Sequence, residues 1–227
     1  MTHCFSRRSF LKGSAAAAAV LSSPLLPADA ASSETENGLF SPVSALCQTQ
    51  YGPVRGREGK NGQLCWYGIP YGAAPTGESR WTAPLEPSRW QTVRDCTSPS
   101  PAAYQYTTFP LGTEDCLTLD IYSSAEAKKR PVLVYLHGSA ATGSSLELPG
   151  CELVRDAGCV FVALNYRLGL FGWNCLPALT ADPDSTGNFA LLDIARALDW
   201  VRDNIRRFGG DADNITPVSY THLTLPT

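Results

Sequence analysis

Two short runs of apolar residues stand out in the middle of the chain. Residues 131–136 (PVLVYL) and 159–165 (CVFVALN) are β-rich and nearly unbroken. Such runs predict strands buried on both faces of a sheet. Residues 117–122 (LTLDIY) alternate apolar and polar, which predicts a half-buried strand. Residues 48–56 (QTQYGPVRG) and 63–67 (QLCWY) read as two more strands with a Gly-rich turn between them. Residues 68–87 are dense in Gly and Pro and predict an ordered loop. Residues 125–130 read as a charged, exposed turn, and residues 148–157 as a short helix. A longer helix starts at Gly187 or Asn188. Its apolar residues Leu191, Leu192, Ala195, Leu198 and Val201 recur at three- and four-residue steps, and Gly209-Gly210 ends it. Strand–helix–strand–helix order predicts an α/β fold with parallel central strands and right-handed crossovers.

The N-terminus follows a different pattern. Ser6-Arg7-Arg8-Ser9-Phe10-Leu11-Lys12 matches the twin-arginine export consensus at every fixed position. A moderately apolar run from Ala15 to Leu26 follows, then Ala28-Asp29-Ala30 as a small-x-small cleavage site. Residues 1–30 are thus expected to be a signal peptide. The apolar run is too short for a membrane span, which needs about 20 apolar residues. The expected location is the periplasm or the exterior, and the expected mature part has no stable membrane span. Residues 31–37 read as a flexible leader.

Composition narrows the partners. The chain has 227 residues and a net charge of −3. Losing Arg7, Arg8, Lys12 and Asp29 with the leader takes it to −5. No basic block or stripe is present, which argues against nucleic acid. Of eight cysteines, Cys4 lies in the leader, so an odd seven remain and at least one is unpaired within the chain. There is no Cys-x-x-Cys and there are only three histidines, so zinc is poorly supported.

Four motifs in order carry a resemblance. They are Gly68-Ile69-Pro70-Tyr71 with Arg80-Trp81 and Trp90; the run from Glu114-Asp115-Cys116-Leu117 to Tyr122; Asn165-Tyr166-Arg167-Leu168-Gly169 with Phe171-Gly172; and residues 187–216, GNFALLD…FGGDADNIT. Together they resemble the N-terminal portion of the type-B carboxylesterase family over residues 48–216. The resemblance implies an α/β-hydrolase fold with an incomplete central mixed sheet. It implies a small-molecule carboxylic ester substrate, acyl-enzyme chemistry, and no cofactor or metal. It implies a Ser–acid–His triad whose serine sits on a Gly-x-Ser-x-Gly turn. No such turn occurs in this chain. His137, upstream of the expected turn, is out of order for the triad base. The chain is therefore expected to stop before its nucleophile and to be inactive, with an open sheet edge where the nucleophile strand would pair.

One catalytic element is expected to remain. His137-Gly138-Ser139-Ala140 stands where the family has HGGG or HGGA. By that resemblance the backbone amides of Gly138, Ser139 and Ala140 form the oxyanion hole, and His137 holds the loop through a hydrogen bond. The resemblance also implies a disulfide ending at Cys116. The usual partner position falls on Ala103, leaving Cys96 as a substitute or Cys116 as a thiol. It implies two ion pairs, Arg80 with Glu114 and Arg167 with Asp193, pinning loops to the sheet. Tyr104, Tyr106 and Phe109 occur without the tryptophan of choline-binding relatives, which favours a general bacterial carboxylesterase.

Residues 217–227 (PVSYTHLTLPT) resemble the translation of a transposon-end sequencing adaptor. They are expected to be non-native, so Ser219 and His222 are excluded from any site. Two rival readings stay open. One is a non-catalytic, cholinesterase-like binding domain. The other is an esterase of the hormone-sensitive-lipase type, against which the EDCL and NYRLG motifs argue. Substrate identity and oligomeric state are not legible in the sequence.

Overall fold

The computed structural model describes residues 45–59, 62–148, 150–179 and 187–219. The signal peptide with Cys4, residues 31–44, and residues 220–227 with His222 lie outside them. Three strands come first: β1 (Ala45–Gln48), β2 (Pro53–Glu58) and β3 (Gln63–Pro70). They pair antiparallel in sequence. The segment 48–56, expected as one strand, ends β1 at Gln48, turns at residues 49–52 and opens β2 at Pro53. Thr49 closes the turn, accepting the amides of Tyr51 and Gly52 on its hydroxyl. The short β4 (Arg94–Asp95) lies parallel on β2, and β5 (Gln105–Tyr106) with β6 (Pro110–Leu111) forms a separate small hairpin.

The centre follows: β7 (Thr118–Ser124), β8 (Arg130–Leu136), helix α1 (Gly150–Ala157), β9 (Val160–Leu164), the single turn α2 (Gly169–Gly172), helix α3 (Phe189–Asn204) and β10 (Gly210–Ser219). The sheet order is β1-β2-β3-β7-β9-β8-β10, with β4 on β2. β9, β8 and β10 run parallel, and β7 pairs antiparallel with both β3 and β9. The sheet is therefore mixed, as in the first half of an α/β-hydrolase.

Side chains alternate across this sheet and build two cores. Leu119, Ile121, Val132, Val134, Val160, Val162 and Leu164 pack on one face with Ala197, Trp200 and Val201 of α3. Tyr122, Tyr135, Phe161 and Ala163 pack on the other with Val154 of α1. β7 is therefore buried on both faces from Thr118 to Tyr122, not half-buried as its alternation suggested. Its polar residues Thr118 and Asp120 are inside, each hydrogen-bonded.

Helix α3 forms where its pattern placed it, but with a different face inward. Phe189, Ala190, Asp193, Ala197, Trp200, Val201 and Asn204 are buried, whereas Leu191 and Leu192 are 51% and 38% exposed. An ion pair at Asp193 and the indole of Trp200 set the rotation. The helix tightens into a 3-10 turn, Ile205–Phe208, and ends on Gly209 at φ 85°.

The sheet edge expected beside β8 is not open. β10 fills it, with Ile215 opposite Val132 and Ser219 opposite Leu136. The strand runs through Pro217, Val218 and Ser219 without a break at Thr216. Among the described residues, no helix is long and apolar enough to cross a membrane.

Candidate active-site loop

β8 and β9 are parallel neighbours, and the loops leaving their C-terminal ends lie together. Open α/β sheets bind ligands at such ends. His137 follows β8, and Asn165-Tyr166-Arg167 follows β9. Tyr166 donates its hydroxyl to the His137 carbonyl at 2.5 Å, and the two rings stack with centroids 4.1 Å apart. The Ala140 carbonyl accepts the Gly169 amide at 2.8 Å. At the far end, the Gln105 carboxamide grips Gly143 on both sides, accepting its N–H and donating to its C=O, each at 2.9 Å. Gly143 has φ 143°, and a Cβ there would fall 2.4 Å from His137 Nδ1. Only glycine fits against that ring.

Within these clamps, Ser139 turns the chain locally. Its Oγ accepts the amides of Ala141 and Thr142 at 3.1 and 3.2 Å. The amides of Ser139 and Ala140 find no acceptor among the described residues. They are free donors in the loop that follows β8, with Ala140 open to solvent. The role expected for the His137 side chain is not seen. Both ring nitrogens are buried without a hydrogen-bond partner, and burial lowers its pKa to about 4. The residue holds the loop through its carbonyl and its stacked face.

A buried polar cluster supports the loop from behind. Asp120 accepts the Gly68 amide at 2.8 Å and the Ser145 hydroxyl at 2.7 Å. Asn165 accepts the Ser145 amide at 2.9 Å and reaches back to the Ser145 Oγ. Tyr71 donates its hydroxyl to the Asn165 carbonyl at 2.7 Å. Burial pushes the Asp120 carboxyl up to about 6, against the opposing pull of its hydrogen bonds. None of Asp120, Ser145, Asn165 and Gln105 was singled out as a site residue by sequence. The one available signal was a carboxylate inside an otherwise core-forming strand.

The two ion pairs are joined. Arg80 Nε lies 2.5 Å from Glu114 Oε2, with Nη2 3.0 Å from the other oxygen. Arg167 makes a fork to Asp193 at 2.6 and 2.8 Å, fully buried. Its remaining Nη1 donates to the carbonyls of Arg80 and Thr82. One guanidinium thus ties the post-β9 loop, α3 and the 80–82 loop together. Burial pushes the Asp193 carboxyl up, and Arg167 pulls it back. Beside this network a shallow cleft is lined by Pro75, Tyr104, Leu168 and Phe171. Phe171 takes Tyr104 edge-on at 5.3 Å and stacks with Trp81 at 6.4 Å.

The disulfide considered for Cys96 and Cys116 is absent. Both are buried thiols. Cys96 is fixed at the sheet edge by its amide to Arg55 and its carbonyl from Tyr67, each at 2.8 Å. Cys116 sits in the turn before β7, close enough to Arg167 and Asp193 to feel their charge. Burial pushes the Cys96 thiol up to about 12 and the Cys116 thiol well above its ordinary range.

Known proteins share this sequence family and this fold. The profile of the Carboxylesterase family matches residues 43–220, and that of the twin-arginine translocation signal matches residues 4–23. The chain is 40% identical over 183 residues to the para-nitrobenzyl esterase of Bacillus subtilis, covering 75% of this chain and 37% of that protein. It is 36% identical over 181 residues to the fumonisin B1 esterase of Sphingopyxis macrogoltabida, covering 74% and 33%. A solved PNB esterase superposes with a TM-score of 0.72 at 39% identity, covering 78% of this chain and 38% of that one. The Geobacillus stearothermophilus carboxylesterase EST55 at pH 6.2 gives 0.71 at 40% identity, covering 77% and 37%. The chain thus spans little more than a third of the length of these relatives. Preceded by a signal for twin-arginine export to the periplasm or beyond, residues 43–220 place this chain in the carboxylesterase family, on an α/β-hydrolase fold.

Proposed function

We propose that the protein is a serine carboxylic-ester hydrolase, of which residues 31–216 form the oxyanion-binding part. The observation that carries this reading is the pair of unspent amides at Ser139 and Ala140, in a loop clamped at both ends. In the reaction, a serine hydroxyl attacks the ester carbonyl and a histidine takes its proton. The carbonyl oxygen becomes an anion, which the two amides receive. Collapse expels the alcohol, and water repeats the cycle on the acyl-enzyme. One such donor is worth about 3–4 kcal/mol to the transition state.

The nucleophile, acid and histidine are proposed to follow Thr216 in a full-length protein, in that order. The 227 residues hold no Gly-x-Ser-x-Gly. His137 is stacked, buried and held neutral, which suits packing and not proton transfer. The chain alone is therefore proposed to lack esterase activity, and residues 217–227 to be adaptor-derived. Relatives that carry the name esterase support the reaction class. A second reading, a non-catalytic binding domain, draws on Ser139 standing where the family has glycine.

A sequencing read across the gene past the codon for Thr216 tests the proposal. A Gly-x-Ser-x-Gly turn with a later acid and histidine supports it, and the encoded full-length protein should then be labelled by a fluorophosphonate. A gene that encodes PVSYTHLTLPT and a stop overturns both the hydrolase and the adaptor readings. An intact serine turn that resists the probe favours the binding domain.

A further inference from the structure

Cys65 and Cys151 belong neither to the active-site loop nor to the disulfide considered from sequence. Cys65 is fully buried in β3, and Cys151 is half-buried in the first turn of α1. Their sulfurs lie 3.3 Å apart, although 86 positions separate them in the chain. Both flank the core between α1 and the sheet, beside Tyr67, Tyr122 and Val154. Gly59 covers the pair: a Cβ there would stand 2.7 Å from the Cys65 sulfur and 2.8 Å from the Cys151 sulfur. Backbone can approach two sulfurs that closely only at glycine.

A disulfide has a sulfur–sulfur bond of about 2.05 Å, so closure needs the two atoms to move together by about 1.3 Å. Rotation about the two Cα–Cβ bonds supplies displacements of that size without moving strand or helix. The twin-arginine signal sends the chain to the periplasm or beyond, where disulfides form and persist.

We propose that Cys65 and Cys151 close to a disulfide in the exported protein, tying α1 to β3. The oxidant is a small-molecule or protein disulfide. The Cys151 thiolate attacks one of its sulfurs, forming a mixed disulfide and releasing the first thiol. Cys65 then attacks the Cys151 sulfur, and the second thiol departs with the proton that Cys65 gives up. Two cysteine thiols are oxidised, and one external disulfide is reduced to two thiols. The order follows access, since only Cys151 reaches the surface. The hydrogen bond to Cys151, with burial, holds the Cys65 thiol protonated until that second step.

The test uses the reduced 227-residue chain in a buffer of glutathione and its disulfide. Samples are trapped with N-ethylmaleimide, digested without reduction and mapped by mass spectrometry. The folded chain should yield one linked peptide pair carrying Cys65 and Cys151, lighter by two hydrogens than the separate peptides. The same chain oxidised in urea should give mixed pairings among its cysteines. Oxidation should raise the Tm by about 5–10 °C, and Cys151→Ser should abolish that rise. Maleimide on both Cys65 and Cys151 after oxidation of the folded chain overturns the proposal. So does a folded pairing pattern no different from that in urea, a comparison that requires no variant to fold.

Discussion

Asp120 and His137 titrate in opposite senses within a few residues of the same loop. Asp120 is raised from 3.8 to about 6 by burial. Its proton is held more tightly in the folded chain, so its contribution to stability is full below pH 3.8 and is lost as pH rises through about 6. His137 is lowered from 6.5 to about 4 by burial. Its contribution is full above pH 6.5 and is lost as pH falls through about 4. The two nearly cancel between pH 4 and 6.5. In Asp120→Asn, which keeps an acceptor for the Gly68 amide, only the histidine effect remains. Urea midpoints of that variant should rise more steeply from pH 4 to 6.5 than those of the parent; a parallel pair of curves would refute this. Asp193→Asn leaves the Arg167 charge buried without its partner. It should lower the unfolding free energy by about 3–5 kcal/mol in urea titrations. Glu114→Gln, on the half-exposed pair with Arg80, should cost far less, because solvent screens that charge.

At the scale of elements, the strands at 131–136 and 159–165 were legible because such runs are too short for a helix and rich in β-branched and aromatic residues. The location of α3 was legible too, but its rotation was not. Leu191 and Leu192 look like core by hydropathy, and Asp193 looks like surface. The Arg167 fork reverses this, since a carboxylate with a buried guanidinium partner can go inside. Burial of Trp200 then fixes the helix against β8 and β10. Leu191→Lys should therefore change stability by less than about 0.5 kcal/mol. Trp200→Ala should cost about 3–5 kcal/mol. Thermal melts of the two variants would decide between the observed face and the one read from the pattern. β7 was misjudged for a related reason: its threonine and aspartate mimic a wet face, yet each is satisfied by a partner from a distant loop.

For the molecule as a whole, export is carried by residues 4–23, the stretch that matches the twin-arginine signal. Replacing Arg7 and Arg8 together by lysine should leave the chain in the cytoplasm, as read by fractionation of expressing cells. Continued appearance in the periplasm would assign export to another signal. Among the described residues, β10 is the outer strand of the sheet beside β8. The family match runs to residue 220, across the boundary at which the terminal segment was expected to diverge.

The sequence by itself determined the export signal, the α/β class, the family and the place of the His137–Ala140 loop. Each rests on contiguous residues whose spacing or chemistry has few structural meanings. The tertiary structure alone decided which amides of that loop are left unspent, how Gln105 and Tyr166 clamp it, why Asp120 and Asp193 are inside, and which cysteines meet. Those facts depend on contacts between segments many tens of residues apart. A hydropathy pattern records how each residue prefers water, whereas partnership across the fold decides whether a polar group can be buried.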